Sequence, residues 1–185
     1  MELFDIVDEN REPTGVIKER SKVHANGDLH RTSHVWIVRD NPKGGLDVLL
    51  QKRSQDKDSF PGCYDISSAG HIPAGAGYIE SALRELKEEL GIDAVVEELE
   101  ERMIRRISYT RVFHGKVFRD NQVTRVYRIK RNDIDIEKLN LQQEEIESVI
   151  WMDYEACLEA VKHNTIKHCI QLEELEKIGD EQALV

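Results

Sequence analysis

The stretch GHIPAGAGYIESALRELKEELGI, residues 70–92, decides the fold. Its first half is a loop punctuated by Gly70, Pro73, Gly75 and Gly77. Ile79 to Leu90 then reads as a helix, because Ile79, Leu83, Leu86 and Leu90 recur at helical spacing and Gly91 supplies a stop. On that helix Glu85, Glu88 and Glu89 fall at i, i+3 and i+4, one narrow face at ~100° per residue. The apolar stripe is centred roughly 130° away and would pack on a sheet. Three neighbouring carboxylates repel one another, and they sit near the helix C-terminus, where the dipole disfavours anions. A divalent cation would offset both costs. An all-oxygen donor set without His or Cys suits a hard ion such as Mg²⁺ or Mn²⁺. The alternative is a solvated acidic face on an amphipathic helix, against which the glycine-rich loop ahead of it must be weighed.

The chain around this segment has 185 residues, which at ~150 residues per domain points to a single domain with a terminal addition. Hydrophobic residues at 39% and charged residues at 34% supply a core and exclude a disordered chain. Twenty-six basic residues against 36 acidic ones leave a net charge of −10, with a pI near 5.2. Such a field repels phosphate, which argues against a non-specific binder of nucleic acid or anionic membrane. A phosphate ligand would need a local basic patch or bound cations. No run approaches ~18 apolar residues, so no membrane-spanning helix is expected. Met1 to Asp5 lacks the features of a signal peptide, and Cys63, Cys157 and Cys169 read as reduced thiols. These features lead to the expectation of a cytoplasmic protein.

Working outward, Leu3 to Val7 and Val16-Ile17 flank a turn and read as a hairpin. A polar segment with His24 and His30 follows, then strands at His34 to Val38 and Leu46 to Leu50 around a turn through Asn41 to Gly45. Residues 51–77 read as one long, functional loop. Val95 to Ile107 reads as strand, and Tyr109 to Phe113 with Val117 to Ile129 as a hairpin turning at Asp120-Asn121. Val149 to Met152 forms a short strand, Asp153 caps a helix from Tyr154 towards Lys162, and Leu172 to Ile178 adds a charged helix.

Segment 70–92 resembles the Nudix box, in which Gly, five residues, Glu and seven residues precede Arg-Glu-aliphatic-x-Glu-Glu-x-Gly-aliphatic. Gly70, Arg84, Glu85, Leu86, Glu88, Glu89, Gly91 and Ile92 match in register, and Ala76 stands where the family has its first glutamate. On these residues the chain is identified as a member of the Nudix (MutT-like) family over roughly residues 30–160. The fold this implies is α/β: a Nudix fold, an α/β/α sandwich with a mixed β-sheet. Residues 1–185 would form one domain with an N-terminal β-hairpin and a helical C-terminal extension.

The resemblance further implies a pyrophosphohydrolase that cleaves a phosphoanhydride bond in a nucleoside diphosphate-linked substrate, using Mg²⁺ or Mn²⁺ and a metal-activated water. Glu88 and Glu89 would bind metal, and Glu85 would be a further ligand or orient the water. Arg84 would hold the acidic face through a charge-assisted hydrogen bond, and the Gly70 carbonyl would complete the coordination sphere. Some members recruit a glutamate outside the box, here Glu144 or Glu145. Of Lys52 and Arg53, which point opposite ways from a strand, Arg53 has the fork that suits substrate phosphate. The expected partner is a small diphosphate, with neither nucleic acid nor membrane; homodimers are common in the family.

The N-terminal half is similar to type I isopentenyl-diphosphate isomerase, itself of Nudix fold. The similarity lies in Leu3 to Val7, Pro13-Thr14-Gly15, His24, His30-Arg31 and Ser68-Ala69-Gly70-His71. His24, His30 and His71 look like the three histidines that hold a metal in the isomerases, and mark a second metal or substrate site. Their catalytic cysteine is Ala69 here, which disfavours alkene isomerisation. A third reading, a Nudix-fold binding or regulatory module, rests on Ala76 and is opposed by the retained Glu85, Glu88 and Glu89. Phosphate or monophosphate release, alkene isomerisation, or binding without turnover separates the three. Tyr64, Tyr109 and Phe113 would pack, or stack on a base.

Overall fold

Leu3–Val7 (β1) and Pro13–Glu19 (β2) pair antiparallel as the expected hairpin, and the chain enters a short helix, Arg20–Asn26 (α1). In the computed structural model residues 2–179 are described; Met1 and residues 180–185, part of the expected single domain, lie outside them. The main sheet has seven strands: His30–Asp40 (β3), Leu46–Arg53 (β4), Tyr64–Asp65 (β5), Ser68–His71 (β6), Glu100–Phe113 (β7), Lys116–Lys130 (β8) and Ile146–Asp153 (β9). Its order is β5-β4-β3-β8-β7, with β6 on β3 and β9 on β4. The β3–β8 pair is parallel and the others are antiparallel, so the sheet is mixed.

Alternation along the two central strands sorts the core into two layers. Val35, Ile37 and Leu49 pack with Ala82, Leu86 and Leu90 of Tyr78–Leu90 (α2). Trp36, Val38, Val48 and Leu50 face the other way, against Cys157 and Val161 of Tyr154–Lys162 (α3) and Leu175 and Ile178 of Leu172–Gly179 (α4). One sheet between two helical layers is the expected α/β/α sandwich. Asp153 caps α3 by accepting from the Ala156 amide at 3.0 Å.

Several local expectations change. The turn of the long hairpin lies at His114-Gly115, both at positive φ and flanked by the pair Phe113–Lys116, while Asp120-Asn121 runs mid-strand. A two-residue loop with φ > 0 at both positions matches strand twist, so it prevails over an Asp-Asn pair with turn propensity alone. Residues 51–77 hold the end of β4 and two short strands, too brief to show periodicity. The segment around His24 is helical, and Val96–Glu98 forms a 3₁₀ turn before β7. On α2 the buried face starts at Ser81 and Ala82 and includes Glu89, whereas Ile79 stays 40% exposed and Leu83 is half-buried. The reason lies across from the helix: β6 offers Glu89 polar partners, so this carboxylate faces inward.

Candidate functional site

The helix α2 and strand β6 meet at a cavity of about 250 Å³ that also takes side chains from β3, β4, β7, β8 and the N-terminal segment. Gly91 ends α2 at φ 72°, its amide donating to the Lys87 carbonyl at 3.0 Å and that of Ile92 to the Leu86 carbonyl at 3.1 Å. This closure leaves the last turn free to carry acidic side chains. Glu89 is 3% exposed; Ser68 Oγ donates to its Oε2 at 2.7 Å and the Ala69 amide at 3.3 Å. Burial pushes its carboxyl up to about 8 despite those donors, and the nearby Glu85 adds to the shift. Burial also raises Glu85, against the pull of Arg84. Arg84 Nη2 reaches Glu85 Oε1 at 2.5 Å and the His71 carbonyl at 3.4 Å, and its Nε lies 3.8 Å from Glu88 Oε2. Glu88 is exposed at the cavity edge.

Gly70 approaches this face so closely that a Cβ there would overlap Glu85, 2.5 Å from Oε1 and nearer still to its carbons. Only glycine leaves the carboxylate this position. The strand register pairs Gly70 with Ser33. Arg53 lies in the cavity wall, but its fork is engaged: Nη1 on Asp65 at 3.0 Å, and Nε and Nη2 on the Ser59 carbonyl at 3.1 and 3.0 Å. Lys52 points away, to Glu147 at 2.6 Å. Glu145 also lines the cavity, paired with Lys57, whose charge holds the carboxyl low against the opposing effect of burial; Glu144 is exposed.

The three histidines, far apart in sequence, are brought together: their ligand nitrogens lie within 4.8 Å of one another. Phe4 stacks on His71 at 4.6 Å and on His30 at 5.6 Å, and Phe118 stacks on His24 at 4.2 Å. His30 Nδ1 lies 2.9 Å from the Asp28 carbonyl and His24 Nδ1 3.3 Å from the Arg119 carbonyl. A carbonyl only accepts, so each Nδ1 carries the proton and each Nε2 presents a lone pair. Both Nε2 atoms are buried without a hydrogen-bond partner among the described residues, as is Asp120 Oδ1, 3.7 Å from His30 Nε2. Burial lowers all three histidines, His24 to about 3, and raises Asp120 to about 6 even though the Tyr109 hydroxyl donates to it. Asp120-Asn121 has the composition of a turn and gives no local sign of a site; the parallel register His30↔Gln122 carries Asp120 to the histidines. Arg20 and Lys57 also line the cavity, and no local pattern signals it, because each reaches the site only through the tertiary fold. Tyr109, Phe113, Phe118 and Phe60 pack on one another, with ring centroids 4.9 to 6.4 Å apart, and Tyr64 packs in the α3–α4 layer.

A helix lined with carboxylates against a glycine strand, carried on a mixed sheet between helical layers, is the arrangement that the box of residues 70–92 implies. The NUDIX domain matches residues 30–172. Nudix hydrolase 3 of Arabidopsis thaliana is 41% identical over 155 residues, 83% of this chain and 19% of that protein. An uncharacterised Nudix hydrolase of Clostridium acetobutylicum is 39% identical over 149 residues, 80% of this chain and 68% of its own length. A crystallised protein of Deinococcus radiodurans covers 97% of this chain and 100% of its own, with a TM-score of 0.69 at 18% identity. The dihydroneopterin triphosphate pyrophosphohydrolase of E. coli superposes with a TM-score of 0.54 at 19% identity, over 82% of this chain and 94% of its own. The chain belongs to the Nudix family. It spans about a fifth of the Arabidopsis relative and two thirds of the clostridial one. Among the described residues no helix is long and apolar enough to cross a membrane.

Proposed function

We propose that this chain hydrolyses a phosphoanhydride bond in a small nucleoside diphosphate-linked substrate in the cytoplasm, with Mg²⁺ or Mn²⁺ held by Glu85, Glu88 and Glu89 beside the Gly70 carbonyl. The observation that carries it is the convergence of these carboxylates on one cavity, two of them raised by burial. An all-oxygen donor set fits a hard divalent ion. When bound, such an ion neutralises the diphosphate and lowers the pKa of a water. Arg84 holds Glu85, Ser68 holds Glu89, and Glu88 is the exposed end of the face. Arg53, Arg20 and Lys57 line the cavity but are paired with Asp65, Glu2 and Glu145, so the charge that receives phosphate would come from the bound divalent ions. Assaying diphosphate compounds with Mg²⁺ and Mn²⁺ for released phosphate and nucleoside monophosphate tests this. Turnover of none of them would contradict it.

The unpartnered nitrogens support a second metal site at His24, His30 and His71, with Asp120 beside it. A lone pair facing a carboxylate at 3.7 Å in a buried setting calls for a cation or proton between them. Neutral imidazoles with an oxygen donor suit a borderline ion such as Zn²⁺ or Fe²⁺. Co²⁺ added to the protein should give a visible ligand-field spectrum that His30→Ala removes; identical spectra from both proteins would dismiss the site. With Ala69 in the place of the isomerase cysteine, isopentenyl diphosphate should not be converted. Conversion abolished by His24→Ala or His71→Ala would restore the isomerase reading.

A further inference from the structure

Ala76 breaks the box, yet the loop around it is tightly held, by Arg31 on β3 and by Leu3 and Asp5, which lie outside the segment that matches the family domain. Asp5, on β1, accepts from the Gly75 amide at 2.8 Å and from Arg31 Nη2 at 3.0 Å. The same Nη2 donates to the Ala76 carbonyl at 3.2 Å. The Ala74 amide donates to the Leu3 carbonyl at 2.8 Å, and the Ile72 amide to the Arg31 carbonyl at 3.0 Å. Asp5 and Arg31 are largely buried, with side chains 13% and 11% exposed. Arg31 also lies over the ring of Tyr78, the first residue of α2, at 5.5 Å. Thus Ile72, Ala74, Gly75 and Ala76 are each tied to the hairpin or to β3. This loop joins Gly70 and His71 to the helix that carries Glu85, Glu88 and Glu89, so its course sets how the carboxylate face meets β6.

We infer that Asp5 and Arg31 are positioning residues for the carboxylate site: the hairpin outside the matched domain, acting with Arg31 of β3, fixes the loop at the position where this chain lacks the box glutamate. Asp5 does by backbone capture what a side chain at position 76 would do by reaching into the site. Charge-assisted hydrogen bonds in a half-buried setting make the hold strong. The inference rests on the proposed metal-binding role of Glu85, Glu88 and Glu89, and its consequence is that the hairpin is part of the active site.

The test uses the full chain without substrate. Amide exchange of residues 72–77 is measured in metal-free wild type, Asp5→Asn and Asp5→Ala, and Mn²⁺ affinity by the paramagnetic signal of the free ion. Only the Mn²⁺ component removed by Glu88→Gln is counted. Asp5→Ala should speed exchange in 72–77 about tenfold while β3 and β4 keep wild-type protection, and weaken Mn²⁺ binding by about tenfold. Asp5→Asn should do both more mildly. Ala76→Glu should recover affinity in the Asp5→Ala background and add less to wild type. Unchanged exchange, faster exchange with unchanged Mn²⁺ affinity, or equal effects of Ala76→Glu in both backgrounds would overturn the positioning role. If Glu88→Gln removes no Mn²⁺ from otherwise wild-type protein, the metal assignment itself fails and takes this inference with it.

Discussion

Replacing Gly70 by alanine should disable the site while sparing the fold. The added methyl carbon would lie 2.5 Å from Glu85 Oε1 and closer to its carbons, against ordinary contact distances of ~3.5 Å. The flexible carboxylate must therefore retreat by about 1 Å. Gly70 is not among the residues at positive φ, so its backbone accepts alanine without strain. Glu85 faces the cavity and belongs to neither core layer, so no core contact is lost. A misplacement of 1 Å costs ~10²-fold in rate, or about 2.7 kcal/mol of barrier. Phosphate release should fall by about that factor, with a raised Mg²⁺ requirement, while the melting temperature stays within about 4 °C of wild type. Parallel kinetics and thermal melts decide it. Wild-type turnover at the wild-type Mg²⁺ requirement would refute the placement of Glu85 in the metal shell.

Other outcomes follow from named contacts. His34 Nδ1 meets Glu174 of α4 at 2.9 Å; burial alone would lower this histidine, but the charge and hydrogen bond of Glu174 prevail and raise it. A raised folded value means stability present in full below ~6.5 and lost as pH rises through that value. Glu174→Gln should flatten this part of the stability–pH curve, and denaturant melts from pH 6 to 9 showing the wild-type slope would contradict the pair. Ala76→Glu in otherwise wild-type protein should lower the Mg²⁺ concentration for half-maximal hydrolysis and raise turnover modestly; superimposable metal titrations would remove position 76 from the metal site.

What the sequence reveals and what it hides divides by range. The helix α2, its stop at Gly91 and the spacing of Glu85, Glu88 and Glu89 are local facts of a 3.6-residue period, and they stand in the structure as read. The hairpin of β1 and β2 and the Asp153 cap are local too. The inward turn of Glu89 depends on Ser68, 21 positions away, and no periodicity of α2 foretells it. The Asp65 that occupies Arg53 comes from a two-residue strand. Asp120 joins the histidines only through the parallel β3–β8 register, and Asp5 meets Gly75 only when the hairpin docks. The histidines are legible only through family likeness, since nothing local links His24 to His71.

The most direct measurement of the central claim is turnover of one accepted diphosphate substrate by wild type, Glu88→Gln and Glu89→Gln at saturating substrate across an Mg²⁺ and Mn²⁺ titration. Glu88 is exposed and Glu89 is held by Ser68, so both amides should leave the fold intact. Metal-dependent hydrolysis in wild type and a loss of at least ~10²-fold in each variant, with folding preserved by circular dichroism, is the predicted result. Both variants turning over at the wild-type rate, or a wild type indifferent to chelation of divalent metal, would contradict the account.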